Sequence, residues 1–148
     1  MKLLLIIPAY NEEECIENVI NNITKNYSQF DYVVVNDGSK DRTSEICHEN
    51  GYNIIDLPVN LGLAGAFQTG MKYAYYNNYD YAIQFDADGQ HRPEYIEKMY
   101  KEILKGYDIV IGSRFVTEKK PFTARMIGNR LISWGIKVTT GKRITDPT

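Results

Sequence analysis

Apolar and polar positions fall in blocks along this 148-residue chain, and the blocks change period as they go. Leu3–Pro8 is a β-rich apolar run, short enough for a strand covered on both faces. Glu12–Lys25 switches to helical spacing, with Ile16, Val19, Ile20 and Ile23 on one face. Tyr32–Val35 returns to a buried strand and ends in the turn Asn36-Asp37-Gly38-Ser39. Ser39 or Asp41 is placed to cap a helix running to about Asn50. Asn53–Leu57 predicts a third strand, Ala64–Asn77 a helix and Tyr81–Phe85 a fourth strand. Pro93 sits where a proline opens a helix, predicting one over Glu94–Leu104, and Tyr107–Ile111 predicts a fifth strand.

This βαβα order predicts an α/β fold with a mostly parallel sheet and helices on both faces. Ligands in such sheets bind outside the carboxyl ends of the strands. The polar loops fall there: Pro8-Ala9-Tyr10-Asn11-Glu12, Asn36-Asp37-Gly38-Ser39, Asp86-Ala87-Asp88 and Gly112-Ser113-Arg114. Four unrelated loops on one edge predict a site better than any one of them does.

Composition leaves that picture in place. With 43% hydrophobic and 24% charged residues, the chain reads as one globular domain over 1–148. Cys15 and Cys47 have no metal-ligand spacing, and the N-terminus has no secretory leader pattern, so reduced packing cysteines in a cytoplasmic protein are the expectation. The early run Leu3–Ile7 is far shorter than the ~20 residues of a membrane span.

Charge changes the picture more. Residues 1–113 hold 9 Lys/Arg against 17 Asp/Glu, a net of −8, and residues 114–148 hold 8 against 2, a net of +6. The chain therefore divides into an acidic body, 1–113, and a basic segment, 114–148, that favours phosphates or an anionic membrane surface. A solvated helix face is the plainer reading. Within that segment Ala124–Thr139 has weak helical spacing, with Ile127, Leu131, Trp134 and Val138 on one stripe. One Trp with flanking bases suits a membrane interface, although an ordinary helix closing the domain has the same pattern. No nucleic-acid partner is expected.

The stretch Asp86-Ala87-Asp88-Gly89-Gln90 carries the most specific chemistry. Two like charges that close resist ionising together unless a cation sits between them. Asp86, Asp88 and Gln90 offer hard oxygen ligands that suit Mg²⁺ or Mn²⁺; an acidic turn after a strand is the alternative. His91 beside them is more in keeping with packing or hydrogen bonding than with ligation. Asp37, at a strand end, can accept N–H groups from a base edge or can simply cap a turn. Tyr10 can lie against a base, Glu12 can take ribose hydroxyls or serve as a first-turn acid, and Arg114 can fork onto a phosphate. The first βα loop lacks G-x-G-x-x-G, and no G-x-x-x-x-G-K-[ST] occurs, which counts against a dehydrogenase and a P-loop ATPase. Gly62–Ala66 reads as tight helix packing or as a loop that a ligand approaches.

Six stretches taken together, IPAYNEEE, VVVNDGSKDRT, NLGLAGAFQTG, QFDADGQH, GSRF and TDPT, resemble family 2 glycosyltransferases of GT-A fold. The look is nearest to the polyprenyl-phosphate branch that includes dolichyl-phosphate mannose synthase. The resemblance implies a Rossmann-like nucleotide-diphospho-sugar transferase fold. It implies that Pro8, Ala9, Tyr10, Glu12, Val35 and Asp37 surround the nucleotide, with Asp86 and Ala87 beside the donor. It implies a metal at Asp88 and Gln90, with Asp86 alongside, and Arg114 near the phosphates. Asp88 and Arg114 are then the candidate catalytic residues; Asp146, the one acid in the tail's final stretch, is a third candidate with an open role. The implied reaction is metal-dependent, inverting transfer from a UDP- or GDP-sugar to a polyprenyl phosphate or a glycan, at the inner face of the cell membrane. The family's pattern runs on past Asp146-Pro147-Thr148, so a truncated chain with an incomplete acceptor side is the expectation. A sugar-phosphate nucleotidyltransferase would want a glycine-rich basic loop after the first strand, where this chain has Pro-Ala-Tyr-Asn-Glu. A non-catalytic nucleotide-binding or membrane-docking module is the rival of another class.

Overall fold

Strand β1, Leu3–Ala9, is buried along all seven residues, as its unbroken apolar sequence predicts. The computed structural model describes residues 1–87 and 94–112, together with 132, 134, 137–139 and 141. After β1 come α1 (Ile16–Asn26), β2 (Asp31–Asn36), α2 (Thr43–Glu49), β3 (Ile54–Asp56), α3 (Gly62–Tyr76), β4 (Tyr81–Gln84) and α4 (Glu94–Ile103). The four strands are all parallel, in the order β3-β2-β1-β4. The chain forms two compact units, Met1–Ile96 and Glu97–Thr148.

Burial fixes the sheet. Leu4, Leu5, Ile6 and Ile7 of β1 and Val33, Val34 and Val35 of β2 have no exposed surface. Each such side chain is worth about 1.5–3 kcal/mol over an exposed one, well above any strand propensity. Helix α1 buries Ile16, Val19, Ile20 and Ile23, the predicted stripe. Its regular turns start at Ile16, and the predicted start at Glu12 is the turn that leads in: the Glu12 carbonyl accepts the N–H groups of Cys15 at 3.0 Å and Ile16 at 2.9 Å. Helix α3 buries small residues instead, Ala66, Gly70 and Ala74, which lets its backbone approach Ile6 of β1 closely.

The predicted fifth strand, Tyr107–Ile111, is not a strand in the structure, and Tyr107, Ile109 and Ile111 are exposed. Alternating apolar residues give a segment the pattern of a strand, but only a ladder of backbone hydrogen bonds makes it one.

The first two crossovers step from β1 outward to β3, and the third returns past β1 to β4. Right-handed crossovers therefore set α1 and α2 on one face and α3 on the other. The direction of winding reverses between β1 and β4, and that crevice is where such a sheet receives ligands.

Candidate functional site

A cavity of about 230 Å³ opens at that switch point. Pro8 and Ala9 at the end of β1, with Tyr10 and Glu12 just beyond, form one side. Asp37 follows β2, Asp86 and Ala87 follow β4, and Leu63 and Ala66 come from the first turns of α3. The register explains the meeting. Ile6 stands opposite Gln84, so Pro8 and Asp86 arrive together two residues later. A larger open groove of about 360 Å³ lies at the opposite, amino-terminal edge, where the Tyr79 hydroxyl donates to Asp31 at 3.0 Å.

The first and second βα loops are stitched by five hydrogen bonds running in both directions. Asn11 N–H donates to Ser39 Oγ (3.0 Å), Glu12 N–H to Thr43 Oγ1 (2.8 Å) and Glu13 N–H to Asp41 Oδ2 (3.1 Å). In return, Lys40 N–H donates to Asn11 Oδ1 (2.8 Å) and Arg42 N–H to Glu13 Oε2 (3.0 Å). Asn11 reaches this geometry at φ +58, the left-handed region that Asn tolerates better than most residues. Asp41 also accepts from Thr43 N–H (3.0 Å) and Thr43 Oγ1 (2.6 Å); the N-cap position of α2 itself is Arg42, not the predicted Ser39 or Asp41, and makes no side-chain cap bond. Burial alone would raise the Asp41 carboxyl, but the hydrogen bonds from Thr43 and Glu13 outweigh it and hold it below the usual carboxylate range. Tyr10 and Glu12 thus stand on a braced loop, a condition for precise ligand placement.

Asp37 is the buried acid of the site, 4% exposed. Its N–H donates to Ala9 O at 2.8 Å, tying β2's end to β1's. Its Oδ1 accepts the N–H of Leu61, at the start of α3, at 2.7 Å. Asn36 points the other way and donates to Asp56 Oδ1 at 2.7 Å. Asp56 also accepts from Ser44 and lies 2.7 Å from His48 Nε2. Burial tends to raise the Asp56 carboxyl, and these three bonds reverse that and lower it. That cluster braces α2 against β3 outside the cavity lining.

Of the residues anticipated at the nucleotide, Pro8, Ala9, Tyr10, Glu12, Asp37, Asp86 and Ala87 all line the cavity. Val35 does not; its side chain is buried in the core with Leu4, Ile6, Val33 and Ala66. Asp86 is half-buried and accepts from Gln84 Nε2 at 3.0 Å. Asp88, Gln90, His91, Arg114 and Asp146 lie outside the described residues. Among the described residues there is no cluster of three metal-ligating side chains. Leu63 and Ala66 belong to the Gly62–Ala66 stretch, which the sequence offers as tight packing or as a loop that a ligand approaches, and they line the cavity; Leu61, which holds Asp37, is marked by no signal in the sequence.

Residues 4–147 match the family model described as Glycosyl transferase family 2. The UDP-N-acetylglucosamine–dolichyl-phosphate N-acetylglucosaminyltransferase of Methanococcus voltae is 37% identical over 97% of this chain and 65% of its own length. The dolichol-phosphate mannosyltransferase of Pyrococcus furiosus is 36% identical over 99% of this chain and 44% of its own. The chain therefore spans less than two thirds of either relative. A solved structure, glucosyl-3-phosphoglycerate synthase from Mycobacterium tuberculosis in complex with Mn²⁺, UDP and glucosyl-3-phosphoglycerate, is similar at TM-score 0.60 and 23% identity, over 71% of this chain and 40% of that one. With the family match running nearly from end to end, the chain belongs to glycosyl transferase family 2 and has the GT-A fold.

Proposed function

We propose that this chain binds a nucleotide-diphosphate sugar at the β1–β4 crevice and transfers the sugar, with inversion, to a polyprenyl phosphate. The observation that carries the reading is the convergence of Asp37 and Asp86, from two different strands, on one cavity with Pro8, Tyr10 and Glu12. Asp37 takes the base edge, Tyr10 lies against the base, and Glu12 meets the ribose. The acceptor is supported by the names of both relatives, which carry dolichyl or dolichol phosphate. A phosphate acceptor is already ionised and needs no general base; a glycan hydroxyl would need one, and Asp146 would be the candidate.

A divalent cation, Mg²⁺ or Mn²⁺, fits the donors present. Asp86 presents carboxylate oxygen at the cavity, and its neighbours Asp88 and Gln90 are oxygen donors too, the hard ligands these ions prefer. When bound, the ion supplies charge that neutralises the departing diphosphate. Arg114 adds a fixed positive fork for the same phosphates.

Thermal unfolding with UDP and GDP, with and without Mn²⁺, tests the donor site. A nucleotide at a hundred times its dissociation constant adds about 2.7 kcal/mol to stability. The expected result is a manganese-dependent rise that Asp88→Ala abolishes. No rise with either nucleotide, in a folded chain, overturns the reading and leaves the membrane-docking module as the rival.

The same reading puts the chain in the cytoplasm, at the inner face of the membrane. Ile132, Trp134 and Val138 are exposed, beside the exposed Lys137, in the basic segment. Among the described residues, no helix is long and apolar enough to cross a membrane; the contact proposed for this segment is an interfacial one, which a Trp beside bases suits. Co-sedimentation with anionic vesicles is expected, weakened by added salt and by Trp134→Ala. Recovery of the chain in the supernatant at low salt would rule this contact out.

A further inference from the structure

We propose that Thr43 is a positioning residue for the ribose contact: its hydroxyl, oriented by Asp41, holds the Glu12 backbone where the Glu12 side chain meets the ribose. The inference rests on the donor-site reading above and adds to it a residue that does not line the cavity.

Thr43 opens α2 and has no exposed surface. It is absent from the cavity lining, whereas Glu12 is part of it. A buried hydroxyl has one proton to give and lone pairs to receive, and here each role has a defined partner. The proton goes to Asp41 Oδ1 at 2.6 Å, a short bond of the kind an ionised acceptor makes. With the proton committed there, the oxygen can only accept on its other side. That side faces Glu12, whose N–H donates to it at 2.8 Å.

The relay ends on the residue that matters for the ligand. The second loop holds three successive amides of the first, those of Asn11, Glu12 and Glu13, and only Glu12 lines the cavity. The Glu12 carbonyl is occupied too, by the N–H groups of Cys15 at 3.0 Å and Ile16 at 2.9 Å. Both backbone groups of Glu12 are therefore engaged, one by the turn into α1 and the other by Thr43. Side-chain placement at a site is only as precise as the shell that holds it, and the Thr43 hydroxyl is that shell on the amino side of Glu12.

Two substitutions separate the hydroxyl from packing. Thr43→Val keeps a branched side chain and leaves Glu12 N–H and Asp41 Oδ1 without this partner. Thr43→Ser keeps the hydroxyl and gives up the methyl.

Calorimetric titration of UDP and GDP, in Mn²⁺, each beside its 2′,3′-dideoxy form, into the wild type and both variants is the test. The dideoxy form keeps base and diphosphate and offers Glu12 no hydroxyl. The wild type is expected to bind the ribonucleotide about tenfold or more tightly than the dideoxy form, the difference a hydrogen bond to a charged group makes. Thr43→Val should weaken the ribonucleotide about fivefold and leave the dideoxy form within about twofold of wild type. Thr43→Ser should keep the wild-type preference. A Thr43→Val chain that keeps that preference, one that weakens both forms alike, or a Thr43→Ser chain that behaves as Thr43→Val overturns the inference while leaving a donor site. So does a wild type that binds both forms equally. Absence of binding by all of these nucleotides to the folded wild type takes down the donor-site reading instead, and this inference with it. Should Thr43→Val not fold, amide exchange in the wild type decides. The ribonucleotide should slow exchange at Glu12 N–H more than the dideoxy form does, because coupling between ligand and brace is reciprocal, and equal protection overturns the inference.

Discussion

Gly70→Val is expected to destabilise the Met1–Ile96 unit by about 3 kcal/mol. A Cβ at position 70 would overlap the Ile6 side chain, whose Cγ2, Cγ1 and Cβ all lie within its contact distance. Neither side can yield cheaply. Ile6 is fully buried in the central strand, and α3 is held there by the small stripe Ala66, Gly70 and Ala74. Gly70→Ala should cost less, about 1–2 kcal/mol, because removing a helix-interior glycine returns up to about 1 kcal/mol. A double-mutant cycle checks the cause: Gly70→Ala with Ile6→Ala should be less unstable than the sum of the two single changes. Denaturant titration reads all of these. A Gly70→Val chain within 0.5 kcal/mol of wild type, or strict additivity in the cycle, contradicts the packing account.

The lie of the fold was largely legible in the sequence, because continuous apolar runs and the 3.6-residue stripe of α1 are direct records of burial. The position of the cavity was legible for a topological reason. Polar loops after β1, β2 and β4 can only meet at the carboxyl edge once the strands are parallel. What could not be read was anything set by a partner distant in sequence. The amides of Glu12 and Glu13, ahead of α1, are held by Thr43 and Asp41, partners about thirty residues away that no local pattern names. Tyr107–Ile111 has the alternation of a strand without the ladder. Asp37 invited two readings, a cap and a base acceptor, as though they excluded each other. The turn is held by Asn36 instead, whose Oδ1 accepts the Ser39 N–H at 3.1 Å, while Asp37 Oδ1 accepts the N–H of Leu61 and its side chain lines the cavity. No local pattern around Asp37 names Leu61, which is 24 residues away.

Gly38→Ala should weaken both stability and nucleotide binding, and the pairing of the two effects is the point. Gly38 sits at φ +68, where an L side chain costs about 1–2 kcal/mol. Its new Cβ would stand 2.8 Å from Asn60 N and 2.9 Å from Val59 C, so backbone has to move. Overpacking of that kind adds about 1–3 kcal/mol, for a total of about 2–5 kcal/mol. Gly51, at φ +65 with open space around its missing Cβ, supplies the control. Gly51→Ala should show the backbone cost alone. The segment that Gly38→Ala displaces leads directly into Leu61, so the variant also loosens the 2.7 Å bond that fixes Asp37. On the proposed donor-site reading, its folded molecules should therefore bind nucleotide at least about tenfold more weakly, the loss of roughly 1.4 kcal/mol that follows when one charged hydrogen bond is misplaced. Folded molecules of Gly51→Ala, whose site lies outside the cavity lining, should keep wild-type affinity. Calorimetry at a temperature where both variants are folded separates the cases. Equal affinity in Gly38→Ala and wild type would mean that the Val59–Leu61 backbone does not hold Asp37 in register for its ligand.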